Sequence, residues 1–173
     1  MTVAGGPAAF IAACGAKRGS PTATTATTTG ASADVAILNL ALDVENLAIA
    51  AYAGGAKLLR GPLLKLGKEF LLHEREHASG LSEAIKQLGG TPNKAKPSYN
   101  FPKLVSQKDV LRLASKIENT AIAAYIDAIP KLSTPDLRAT AAAIVTNEAE
   151  HLAVLQGALK RPQTPTAFVI GKP

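Results

Sequence analysis

The chain has 173 residues, of which 47% are hydrophobic, 18% charged and 4% aromatic, with one Cys and no Trp. That is one domain's worth of core, built from Ala, Leu, Ile and Val and too apolar to be disordered throughout, and a single Cys excludes both a disulfide framework and a Cys-rich zinc module. The net charge is +6, yet the Lys and Arg residues are scattered and not interleaved with aromatics, so nucleic-acid binding is not expected.

Three regions follow in chain order: a leader and tether over 1–31, a helical domain over 32–160 and a tail over 161–173. Residues 1–16 are small, apolar and free of charge. The run Ile11-Ala12-Ala13-Cys14 resembles a lipobox, in which Cys14 is lipidated after cleavage. The expectation is export to an extracytoplasmic site with a lipid anchor through Cys14. The other reading is an inert Cys in an Ala-rich terminus of a cytoplasmic protein. Between Ser20 and Gly30, six of eleven residues are Thr, a low-complexity stretch that reads as a tether. No run of about 18 apolar residues occurs, so no membrane-spanning helix is expected.

From Ser32 the pattern turns helical. The first segment runs to about Leu59, with apolar positions 37, 38, 41, 48, 49 and 52 forming one stripe. The second starts after Gly61-Pro62, with Pro in a first-turn position, and stops at Gly89-Gly90. The third follows Ser106, a good N-cap, and reaches about Leu132. The fourth opens on Thr134-Pro135-Asp136 and ends before Arg161-Pro162. Each is about 25 residues, or roughly 38 Å of helix. Short links make the first and second, and the third and fourth, antiparallel hairpins. The stretch 90–105 carries Pro92, Pro97 and Pro102 and can extend about 50 Å, the length of a bundle. The predicted fold is therefore all-α: a four-helix bundle of two antiparallel hairpins joined by one long crossover. The tail segment Thr166-Ala167-Phe168-Val169-Ile170 is expected to dock on the bundle or on a second copy in a homodimer.

The hairpins repeat. Glu45-Asn46-Leu47-Ala48-Ile49-Ala50-Ala51-Tyr52 recurs 73 residues later as Glu118-Asn119-Thr120-Ala121-Ile122-Ala123-Ala124-Tyr125, with seven of eight residues shared. His73-Glu74-Arg75-Glu76-His77 recurs as Asn147-Glu148-Ala149-Glu150-His151. A duplicated hairpin accounts for both. Glu45 and Glu118 sit on apolar stripes, where a carboxylate is costly unless paired or coordinated. Glu74 and His77, like Glu148 and His151, are i, i+3 neighbours sharing a face. Each Glu lies about halfway along its helix, so four helices bring their ligands to one level. Four carboxylates and two imidazoles suit two divalent ions such as iron or manganese. The lack of thiolates argues against copper(I) and structural zinc.

One Glu on each of two helices, with Glu-x-x-His on each of the other two, resembles the ligand set of the ferritin-like superfamily. More closely, the sequence over 32–160 resembles the bacterial ferritin-like domain family that includes the desiccation-related proteins. The resemblance implies that Glu45, Glu74, His77, Glu118, Glu148 and His151 hold a metal centre of two Fe, or alternatively two Mn, reacting with O2 or peroxide. It implies Fe2+ oxidation or peroxide reduction. A non-catalytic metal-sequestering or desiccation-protective envelope protein is the other reading, and the tether favours it.

Around the six lie residues read as supports. Tyr52 and Tyr125 follow their Glu by seven residues on the same face, placed to hydrogen-bond a ligand carboxylate or, alternatively, to serve as core phenols met by the facing helix. His73 and Asn147 stand one turn before His77 and His151 and back the ligand set; His73 as an extra ligand or proton relay is the alternative. Glu76 and Glu150 fall on the outer face.

Overall fold

The structure is a computed structural model and describes residues 28–171. The lipobox-like segment, Cys14 and the Thr-rich stretch as far as Thr27 lie outside the described residues. Four helices follow in order: α1 (Thr28–Gly55), α2 (Gly61–Gln87), α3 (Gln107–Ala128) and α4 (Pro135–Ala158). Among the described residues there is no strand. Helix α1 is already formed at Thr28, the first described residue, and so includes Ser32, the start that composition suggests. The first helix of each hairpin closes with one 3₁₀ turn, Ala56–Leu58 and Ile129–Lys131, at equivalent repeat positions.

The helix ends follow local chemistry. Ser106 caps α3 by accepting from the Asp109 N–H at 3.2 Å, while its own hydroxyl donates to the Asp109 carboxylate. Thr134 caps α4 by accepting from the Leu137 N–H at 3.3 Å. Gly89, at φ +77°, ends α2 in the left-handed conformation that a side chain resists.

Helix α1 packs on α2 and α3, and α3 on α4, whereas the α2 and α4 backbones stand apart and meet through side chains. The buried face of α1 is Leu38, Ala41, Leu42, Glu45, Ala48, Ala51 and Tyr52. Ile37 and Ile49 flank this stripe half-buried instead of lying within it. Helices α1 and α3 run antiparallel, and matching bonds clasp their ends. The Asp34 carboxylate accepts from the Ser133 N–H at 2.9 Å, and the Gln107 carbonyl accepts from the Arg60 N–H at 2.7 Å. These two bonds are one bond repeated, since Gln107 and Ser133 stand 73 residues after Asp34 and Arg60.

The crossover travels along α1. Asn39 donates to the Thr91 carbonyl and accepts from the Asn93 N–H, and the Asn93 side chain reaches Asp43. Phe101 then packs with Leu47 and Leu113 over the Ala48, Ala51 and Ile117 cluster, which delivers the chain to α3. The tail folds back on α3 and α4. Gly171 lies so close to α3 that a Cβ there would sit 2.3 Å from the Ala123 nitrogen, while Phe168 is 81% exposed.

One expectation changes. Residues 30–58 form a helix long and apolar enough, by length and composition, to cross a membrane. The absence of an uninterrupted apolar run misjudged this, because mean hydropathy tolerates isolated acids in an Ala-rich helix. In the fold that helix is a bundle member whose most buried side carries Asp34 and Glu45 as well as apolar residues.

Candidate metal centre

The bundle core is divided into layers. Toward one end lies an apolar cluster with Leu38, Leu42, Leu81, Ile85 and Ile144. Toward the other lies one with Phe70, Leu111, Ala114 and Leu155. Between them the four helices place Glu45, Glu74, Glu118 and Glu148, each fully buried, and the His151 ring, with His77 at the margin. The structure thus brings all six sequence-selected residues together, as two overlapping groups: Glu45, Glu74, His77 and Glu148, and Glu74, Glu118, Glu148 and His151. Within each group the donor atoms lie within 4.8 Å of one another.

The oxygens are shared out in an ordered way. Glu148 offers Oε1 to His77 Nδ1 at 3.0 Å and Oε2 to His151 Nδ1 at 3.4 Å. Glu74 offers Oε1 to His151 Nδ1 at 3.1 Å and Oε2 to His77 Nδ1 at 3.6 Å. Each of these carboxylates therefore spans both imidazoles. Glu45 approaches only His77, at 3.5 Å, and Glu118 only His151, at 3.6 Å.

Both histidine Nδ1 atoms, both oxygens of Glu74 and Glu148, and Oε2 of Glu45 and Glu118 are buried without a hydrogen-bond partner. The imidazole–carboxylate approaches are close, but none has hydrogen-bond direction. Buried polar atoms are rarely left unpaired. Eight such atoms converging at mid-bundle form a donor set suited to hard divalent cations.

Two further oxygens are already used. Tyr125 donates to Oε1 of Glu45, and Tyr52 donates to Oε1 of Glu118. Each Tyr thus serves the Glu of the other hairpin. Burial, followed by the charge of the facing Glu, pushes both phenols well above their ordinary value, so they remain donors.

Without a cation the cluster sorts its own protons. Burial pushes Glu45 up to about 8 against the pull of His77, and burial likewise raises Glu118 against the pull of His151. Burial opposes ionisation of Glu148 too, but His151 and His77 hold it down to about 2. The same balance, with His151 and His77 outweighing burial, lowers Glu74. Burial disfavours charged imidazoles, yet the surrounding carboxylates raise His77 to about 12 and His151 to about 11. Burial thus favours the protonated form of Glu45 and Glu118, while the charged form is favoured at Glu74, Glu148 and both imidazoles.

The residues around the six differ between the repeats. His73 Nδ1 lies 2.9 Å from His151 Nε2, backing that ring. Asn147, the repeat equivalent of His73, donates instead to Glu150 on its own helix at 3.3 Å. Glu76 and Glu150 are exposed, as predicted. Phe70 was not singled out by sequence. It stacks on His151 with centroids 3.9 Å apart. Only its place one turn before His73 on an otherwise aliphatic face could have flagged it.

A bundle of two helical hairpins that buries four carboxylates and two imidazoles at mid-height is the architecture of a ferritin-like metal-binding protein. Residues 33–161 match the model of the ferritin-like domain family, and the chain belongs to that family. It is similar to the crystal structure of a conserved hypothetical protein from Mycobacterium tuberculosis, with 26% identity and a TM-score of 0.70 over 73% of this chain and 97% of that one. It also shares its fold with a ferritin-like diiron-carboxylate protein from Bacillus anthracis str. Ames, with 24% identity and a TM-score of 0.67 over 75% of this chain and 97% of that one. None of the curated proteins matches the sequence.

Proposed function

We propose that this chain holds two iron ions in the mid-bundle cluster and uses them to oxidise Fe2+ with dioxygen or peroxide. The observation that carries the reading is the division of oxygens, with Glu74 and Glu148 each facing both histidines and Glu45 and Glu118 each facing one. In this reading Glu74 and Glu148 would serve both ions, Glu45 and His77 would help hold one, and Glu118 and His151 would help hold the other. Iron held there supplies the one-electron couples that the side chains lack.

The chain's own residues do the remaining work. Tyr125 and Tyr52 fix Oε1 of Glu45 and Glu118, which leaves Oε2 of each free to face a cation. The apolar layers on either side exclude bulk water and strengthen every electrostatic contact in the cluster. Four carboxylates balance two divalent ions, so loading replaces protons with metal and leaves the cluster neutral.

The test is anaerobic Fe2+ titration of the metal-free protein, followed by exposure to air. Two Fe2+ per chain and an oxo-bridged ferric absorption band on oxidation are the expected results. Failure to bind Fe2+ would overturn the reading. The double variant Glu45→Ala/Glu118→Ala is expected to lose bound iron by elemental analysis. Metal sequestration without turnover is the second reading, favoured by how deeply five of the six ligands are buried. Stoichiometric oxidation that stops after one cycle would select it over the first.

A further inference from the structure

The duplicated hairpins supply equivalent ligands, but their surroundings are not equivalent. The His151 ring is enclosed. Phe70 stacks on one face at 3.9 Å, the His73 ring lies 5.2 Å away and nearly parallel, and His73 Nδ1 meets His151 Nε2 at 2.9 Å. Its side chain is 2% exposed. The His77 side chain is 12% exposed. At the repeat position of Phe70 stands Ile144, and at that of His73 stands Asn147, which is turned to Glu150.

A histidine that binds a cation through Nδ1 must carry its proton on Nε2, and an acceptor for that proton fixes both the tautomer and the ring orientation. His151 Nδ1 faces the carboxylates while its Nε2 faces His73, so His73 Nδ1 is placed to be that acceptor. Resting on the two-ion reading above, we propose that His73 is a positioning residue that makes the two metal positions unequal: the position at His151 binds a divalent ion more tightly, and the position at His77 exchanges it.

The physical basis is pre-organisation. The His151 ring is held by a hydrogen bond and a stacked phenyl before a cation arrives, so it loses little freedom on binding. The His77 ring has neither support, and its partial exposure gives water a path to compete for the ion. Loss of a hydrogen-bond partner behind a metal-binding histidine costs about 10–100-fold in affinity, and the same factor sets the expected gap between the two positions.

The experiment is calorimetric titration of the full metal-free chain with Co2+ under anaerobic conditions, followed in parallel by the Co2+ visible absorption. The wild type is expected to take two Co2+ in separate steps about 10–100-fold apart in affinity. His73→Leu is expected to weaken the tight step by about that factor and spare the weak one, drawing the two together. Asn147→His, which restores the missing partner at a surface-facing position, is expected to tighten the weak step.

Two Co2+ bound in equal steps, or a His73→Leu protein that keeps its tight step, would overturn the proposal. Should His73→Leu fail to fold, Asn147→His decides: a narrowed gap supports the proposal and an unchanged gap overturns it. Fewer than two Co2+ per chain would instead bring down the two-ion reading itself, which separates that failure from a failure of the asymmetry alone.

Discussion

The two phenols are the most informative single residues after the six of the buried cluster. Tyr125 donates to Glu45 and Tyr52 to Glu118, so each carboxylate is held by a side chain from the other half of the repeat. Removing one donor leaves a buried acceptor unsatisfied. Tyr125→Phe should therefore lower the stability of the metal-free protein by about 1–3 kcal/mol, measured by urea unfolding. Protonation sets the pH dependence of that same metal-free state. Glu45, His77 and His151 have folded values raised to about 8, 12 and 11 above the ordinary 4.5 and 6.5. Their contributions are complete below the ordinary values and are lost as pH rises through the folded ones. Glu148, held at about 2, contributes above 4.5 and loses its share as pH falls toward 2. The unfolding temperature of the metal-free protein should thus fall as pH rises from about 5 to about 9, the window Glu45 and the imidazoles define. A rise over that window, seen by calorimetry, would contradict these protonation states.

Among the elements, helix ends and helix contacts can be tested separately. Ser106 both caps α3 and orients Asp109, and Ser106→Ala should cost about 1 kcal/mol in the urea midpoint. The adjacent glycines at the end of α1 should respond in opposite directions. A Cβ on Gly55 would meet Val110 Cγ1 at 2.6 Å, whereas one on Gly54 would meet nothing within 4 Å. Gly55→Ala should destabilise by about 1–3 kcal/mol through overpacking, and Gly54→Ala should stabilise by about 0.5–1 kcal/mol through helix propensity. A thermal-shift comparison of the pair reads both. Close packing likewise explains Gly67, whose Cβ would meet Leu59 Cδ1 at 2.7 Å, while Gly80 has open space around it. Glycine in a helix therefore had two meanings here, and only the packed neighbours told them apart.

At the scale of the whole molecule, the bundle brings together carboxylates that would repel one another without protons or cations. In the metal-free cluster the surrounding carboxylates favour the charged imidazoles, and burial favours the protonated form of Glu45 and Glu118. Binding two divalent ions should release protons from all four groups, measurable with a pH indicator, and apparent affinity should rise with pH. An ion present at about 100 times its Kd should stabilise the fold by about 2.7 kcal/mol. Chelation should reverse the resulting shift in unfolding temperature. The hairpin pairing, the crossover and the shared mid-helix level of the four Glu and two His residues were legible from periodicity, caps and the repeat.

By itself the sequence determined the donor types, their i, i+3 spacing, their depth along each helix and their duplication, because these depend on residues close together in the chain and on a fixed helical pitch. Only the tertiary structure decided which carboxylates face both histidines, which phenol holds which Glu, and why His151 is enclosed while His77 is not. Those outcomes depend on the rotation and separation of helices whose contacting residues stand 66 to 80 apart in sequence. The wide spacing of α2 and α4 is one such outcome. Across it His73 reaches His151, whereas Asn147 pairs with Glu150 on its own helix, a distinction no local pattern encodes.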